Sequence, residues 1–173
     1  MCRLNIILVE DDKMHRESLH RALQDDFGHE VVSFRDLKEL QTADRDHQLR
    51  SSFKSNQPLV VVMDCMLAKE LSEEAGHAPR WTRPEPLPLD RQNHYVDDSL
   101  GLRVAQSIRD GEFEDLPAMV PILIFTARRN PIVAEEVEQL KSAGLLVKPK
   151  FSKRVHEAIC SLVESSESGS EDE

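Results

Sequence analysis

The chain has only three cysteines in 173 residues, Cys2, Cys65 and Cys160. Their odd number and wide spacing exclude a disulfide framework and show no zinc signature. Such usage suits a reducing cytoplasm. Positive charge is also scarce. Twenty-two Lys and Arg face 32 Asp and Glu, for a formal net charge of −10. No basic stripe offsets that balance, which argues against direct contact with nucleic acid. No apolar run approaches the ~20 residues needed to cross a bilayer, and no signal peptide is visible. Internal repeats are absent. Aromatic residues make up 5% of the chain, with a single Trp (Trp81) and a single Tyr (Tyr95).

What is present is an alternation of two patterns. Short runs of apolar residues read as buried strands: Leu4–Val9, Leu59–Met63, Val120–Phe125 and Leu145–Val147. The first three are continuously apolar, as strands covered on both faces must be. A more polar run, Glu30–Phe34, suits an edge strand. Between these runs apolar residues recur at helical spacing. Helices are expected over Lys13–Asp26, Asp36–Leu40, Leu100–Asp110, a segment from Val133 to Ala143 stopped by Gly144, and a last one carrying Val155, Ile159 and Val163 after Ser152. Gln41–Gln57 either extends the second helix or loops away. Strands alternating with helices predict an α/β fold, with a parallel sheet and helices on both faces.

Polar chemistry in such a sheet gathers beyond the carboxyl ends of the strands. Those ends carry Glu10-Asp11-Asp12, Asp64, Thr126 and Lys148. Adjacent acids commonly mark a helix N-terminus, where negative charge is favourable. They also suit a divalent cation held through oxygen ligands, which relieves their repulsion. With a metal beside it, Asp64 becomes a nucleophile toward phosphorus. Thr126 and Lys148 then bind the oxygens of an attached phosphoryl group. Asp64 paired to Lys148 as a purely structural salt bridge is the plainer alternative. The seven histidines have no ligand-like spacing and most are expected to be solvated. Cys65 reads as a small buried residue. Arg128 and Arg129 read as a solvated loop, unless Arg128 lines the mouth of the pocket.

Four motifs, "ILVEDD", "VVVMD", "ILIFTA" and "VKP", stand in this order at strand ends, and together they resemble the receiver domain of two-component response regulators. The resemblance implies a flavodoxin-like, doubly wound sheet of five parallel strands in the order 2-1-3-4-5, an order shared by the chemotaxis receiver used as the standard example of it. It implies Asp64 as phosphoacceptor, with Mg²⁺ held by Glu10, Asp11, Asp64 and the backbone carbonyl of Met66. Thr126 becomes the switch hydroxyl, Lys148 the phosphate-binding lysine, Lys148-Pro149 a cis bond and Gly101 the glycine opening a helix. The implied partners are a histidine kinase or phosphotransfer protein and a downstream protein target. Output is then by protein–protein contact and a homodimer stays open. The chain is read as a signalling protein, not an enzyme, with neither nucleic acid nor membrane insertion.

The resemblance runs from about Leu4 to Glu164, which sets the expected domain at residues 1–164, with residues 165–173 expected to form an acidic disordered tail. Two departures stand out. Leu145 occupies the position, three residues before the lysine, where an aromatic is common. A proline-rich insertion, residues 69–98, lengthens the loop after Asp64 and contains Trp81 and Tyr95. Large aromatics gain from burial, so the insertion is expected to cover the active rim or present a partner surface, a floppy solvated segment being the alternative. The alternative function is a degenerate receiver, read by partners without phosphorylation. A phosphohydrolase of the aspartyl-phosphate type needs a second acid two residues after the nucleophile, where this chain has Met66.

Overall fold

The computed structural model describes residues 2–53, 56–65, 100–126, 131–140, 142–148 and 152–168. Met66, the 69–98 insertion with Trp81 and Tyr95, Arg128, Arg129, Pro149 with its expected cis bond, and residues 169–173 lie outside them.

Five strands form one parallel sheet: β1 (Asn5–Val9), β2 (Glu30–Phe34), β3 (Leu59–Asp64), β4 (Ile122–Thr126) and β5 (Ala143–Val147). Their spatial order is β2-β1-β3-β4-β5. Every pairing is parallel, with Ile7 opposite Val32 and Val61, Met63 opposite Ile124, and Ile124 opposite Leu145. The three most apolar strands occupy the centre, where β1 and β4 are buried at every position. The more polar β2 takes one edge, as its sequence predicts.

Alternation along each central strand divides the core into two layers. Ile6, Leu8, Val60, Val62, Leu123 and Phe125 pack with Leu19 and Leu23 of the first helix and with Val155, Ile159 and Val163 of the last. Ile7, Val9, Val61, Met63, Ile122 and Ile124 pack on the opposite face with Leu37, Leu40, Leu102, Ile108, Val133 and Val137. Each such side chain contributes roughly 1.5–3 kcal/mol on burial. A polar residue at any of these central positions breaks one layer.

The helices are α1 (Lys13–Arg21), α2 (Leu37–Arg45), a short α3 (Gln48–Ser51), α4 (Leu100–Arg109), α5 (Pro131–Gln139) and α6 (Ser152–Ser168). The expected Lys13–Asp26 helix is realised in two parts, because α1 widens into a π-helical turn over Ala22–Asp26. That turn closes at Gly28, whose φ of 72° is left-handed and suits glycine. Asp36 caps α2 by accepting from the Glu39 N–H at 2.9 Å.

The polar stretch 41–57 both extends α2 to Arg45 and forms α3. Two buried carboxylates hold it. Asp44 accepts from the N–H groups of Glu114 and Asp115, and Asp115 accepts from the Leu49 N–H at 3.1 Å. Two expectations are corrected here. Helix α5 ends at Gln139 and Gly144 lies inside β5, so Gly144 is not a helix stop. The left-handed residue between them is Ser142, at φ 52°. Helix α6 runs to Ser168, past the boundary drawn at residue 164.

Candidate functional site

The carboxyl ends of β1, β3, β4 and β5 bring the acidic and basic residues onto one rim. Glu10 follows β1 and is fully buried. Asp64 ends β3 at 3% exposure, and Thr126 ends β4, also at 3%. Lys148 follows β5 and points back across the sheet. Its Nζ donates to Asp64 Oδ2 at 2.6 Å and lies 3.0 and 2.8 Å from the two Glu10 carboxylate oxygens. Its backbone N–H donates to the Thr126 carbonyl at 2.6 Å. The ammonium also sits 5.1 Å from the centre of the Phe125 ring. Burial lowers the Lys148 pKa, but the bonds to Asp64 and Glu10 outweigh it, and the ammonium is held above its ordinary value.

The three acids of the opening motif separate into two roles. Asp12 is the N-cap of α1, accepting from the His15 N–H at 2.9 Å. That bond, above all, lowers the Asp12 pKa. Glu10 and Asp11 instead converge on Asp64, each with a carboxylate oxygen within 4.8 Å of the others. Hence the helix-cap reading applies to Asp12, while Glu10 and Asp11 are the acids gathered beside Asp64.

The donor set fits a hard divalent cation. Three carboxylates converge here, two of them buried, with one ammonium between those two, and oxygen donors are what Mg²⁺ takes. Met66, the expected fourth donor, lies outside the described residues, as does Arg128. Leu145 packs against the core beside Ile124, in the place expected for an aromatic.

Sequence reasoning missed two residues of the rim. His15, one of the seven histidines without ligand-like spacing, has its Nδ1 2.8 Å from Glu10 Oε2 and its ring stacked on Phe125 at 5.2 Å. Arg16 donates through Nη1 to the Glu10 carbonyl at 2.7 Å and the Asp11 carbonyl at 3.3 Å. Their signal was position alone: both lie in the first turn after the Asp12 cap. His29 is buried as well.

Gly101 closes the rim from below. Its N–H donates to the Cys65 carbonyl at 3.1 Å. A Cβ there would press into the Asp64 carbonyl oxygen and lie 3.0 Å from the Cys65 Cα. The start of α4 therefore approaches the end of β3 as closely as only glycine permits.

The sheet order and its flanking helices are those of the flavodoxin-like receiver fold, the fold of response regulator receiver domains. Among solved structures, the chain is similar to the Vibrio cholerae chemotaxis protein CheY4, at 18% identity and a TM-score of 0.57, over 93% of this chain and 99% of that one. It is similar to the receiver domain of the Francisella response regulator 1452, at 15% identity and a TM-score of 0.57, over 94% and 98%. A signal receiver domain of a Clostridium thermocellum histidine kinase matches at 18% identity and a TM-score of 0.56, over 92% and 96%. No protein-family profile and no curated protein matches the chain. No helix among the described residues is long and apolar enough to cross a membrane.

Proposed function

We propose that the chain is a phosphoacceptor signalling protein, accepting a phosphoryl group on Asp64 from a phosphohistidine of a histidine kinase or phosphotransfer protein. The observation that carries this reading is the placement of Lys148, whose ammonium bridges Asp64 and Glu10 at the ends of β5, β3 and β1. A structural ion pair needs one acid; here a single ammonium is shared between two buried carboxylates beside a third.

An Asp64 carboxylate oxygen attacks the phosphorus of the donor. The phosphorus–nitrogen bond breaks, and the imidazole leaves with the electron pair. Lys148 already donates to Asp64 Oδ2 and to Glu10, so its ammonium lies within reach of the new acyl phosphate and can exchange an N–H bond from a carboxylate to a phosphoryl oxygen. The Thr126 hydroxyl, at the end of the neighbouring strand, is the second donor to those oxygens. Glu10, Asp11 and Asp64, with the Met66 carbonyl, would hold Mg²⁺. Bound there, the cation supplies charge neutralisation that lets an anionic nucleophile meet an anionic phosphoryl group. His15 and Arg16 hold the Glu10 side chain and the loop that carries Asp11.

Output by contact with a downstream protein belongs to the same reading. The alternative, a receiver fold read by partners irrespective of phosphate, is favoured only by Leu145, which replaces the aromatic through which switching is commonly relayed. Labelling with a phosphoramidate or acetyl phosphate, with and without Mg²⁺, separates the two. An acid-stable, base-labile label is expected on the wild type, lost in EDTA and in Asp64→Asn. Full labelling of Asp64→Asn would move the acceptor elsewhere. No labelling of the wild type, with partner binding unchanged by Asp64→Ala, would favour the degenerate receiver.

A further inference from the structure

On the opposite rim, where the strands begin, two histidine rings join the start of the sheet to the last helix. His29 precedes β2 and is 2% exposed. His156 stands near the start of α6 and is half-buried. His29 Nε2 lies 2.9 Å from His156 Nδ1, a bond between residues 127 apart in sequence. Phe27, which follows the π-helical turn, stacks on the His156 ring at 4.2 Å and 7°. Helix α6 is thereby tied to the segment that links the π-helical turn to β2.

The backbone decides where the protons sit. The Leu4 N–H can only donate, and it donates to His29 Nδ1 at 3.1 Å. His29 Nδ1 therefore carries no proton. The one proton of the neutral ring is on Nε2, which donates to His156 Nδ1. His156 Nδ1 is bare in turn, and its own proton is on Nε2. Each acceptor nitrogen has a single lone pair, and both are in use. A proton added to either Nδ1 would meet an N–H already aimed at it and break that bond. At His29 it would also place a charge where water is excluded.

Among the described residues, the ionisable groups around the pair give such a charge little support. On α6, Cys160 Sγ is 3.8 Å from His156 Nδ1, but burial pushes that thiol up to about 12 and keeps it neutral. Glu157 favours a charged His156, yet its carboxylate is shared with Lys153 at 3.7 Å. The segment before β1 brings Cys2, packed in the same apolar layer, and Arg3, a cation that repels an imidazolium. The Arg3 Nε lies 3.8 Å from where a Cβ on Gly28 would stand. Glu30 follows His29 at the half-buried start of β2, and Asp25 and Asp26 of the π-helical turn are exposed. We propose that the His29–His156 pair is an acid-sensitive latch, holding α6 to the start of the sheet while both rings are neutral and opening when either takes up a proton.

Burial, and then the charge of His156, holds His29 down at about 4, and burial lowers His156 as well. Both rings thus bind protons more weakly folded than unfolded. The latch contributes fully above the unfolded value of 6.5 and fades as the pH falls toward 4. For His29 alone, its opening constant should be roughly 30-fold larger at pH 5 than at pH 7.5. The test is amide hydrogen exchange of the full chain at those two pH values, corrected for the intrinsic pH dependence of exchange, with nitrogen-15 shifts of the histidine rings. Protection of α6 should fall by about that factor relative to β3. The ring shifts at pH 7.5 should show Nδ1 unprotonated in both histidines, and His29 should titrate well below its ordinary value. His29→Asn keeps an acceptor for the Leu4 N–H but binds no proton, so the extra loss of α6 protection at pH 5 should disappear. A proton on His29 Nδ1 at pH 7.5, or titration of His29 at its ordinary value, overturns the proposal without any variant. So does protection lost equally from α6 and β3, or an α6 loss that persists in His29→Asn.

Discussion

Lys148 sets the electrostatic balance of the acidic rim, and changing it should be felt before any chemistry occurs. Its side chain is 20% exposed, whereas those of Glu10 and Asp64 are 0% and 4%. Lys148→Met leaves two buried carboxylates without their shared cation. A loss of about 3 kcal/mol in urea unfolding is expected, the lower end for a broken buried pair because the ammonium is partly solvated. Asp11→Asn should act in the opposite direction. It removes one of three repelling charges, so the metal-free protein should unfold at higher urea while its affinity for Mg²⁺ falls. At this scale the sequence was readable wherever a residue ended a strand: Glu10, Asp11, Asp64, Thr126 and Lys148 all reach one rim. It was silent where a side chain arrives from a helix turn, as with His15, or across the fold, as with His29 and His156. Periodicity says which face a residue occupies, but not which atom lies opposite it.

Among the elements, the junction of β3 and α4 tolerates least. Gly101→Ala forces a methyl group against backbone atoms of Asp64 and Cys65, neither of which can turn aside. Overpacking of this kind costs about 1–3 kcal/mol, and backbone neighbours place it at the upper end. Because the clash falls on Asp64 itself, phosphoryl acceptance should slow along with the drop in melting temperature. A milder change tests the frame elsewhere. Asp36→Ala removes the cap of α2 and should cost about 1 kcal/mol in chemical denaturation without altering labelling of Asp64. Continuous apolar runs made β1, β3 and β4 legible, since only strands covered on both faces can be apolar at every position. The start of β5 was hidden because Ala143 and Gly144 carry no strand signal of their own. Gly144 fits between the side chains of Leu123 and Leu162, a reason that exists only after folding.

For the molecule as a whole, divalent metal and folding are linked. If the acidic rim holds Mg²⁺, thermal unfolding should shift upward by an amount equivalent to about 2.7 kcal/mol at a hundredfold excess over the dissociation constant. An unchanged melting temperature at saturating Mg²⁺ would count against the rim as a metal site. The chain also leaves Cys65 and returns at Gly101 through a direct backbone hydrogen bond. Replacing residues 67–98 with a short Gly/Ser loop should therefore preserve the fold, read by circular dichroism and by Mg²⁺ response. The reach of Lys148 has a temporal consequence as well. Its bond to Glu10 joins groups 138 residues apart, and pairings that distant form late. On the ribosome, β1 and β3 emerge long before the lysine that reconciles their acids. A nascent chain still short of β5 holds much of its hydrophobic sequence but lacks the ammonium that bridges Glu10 and Asp64. Under the proposed function, a chain broken off before Lys148 would fall silent instead of sending a distorted signal.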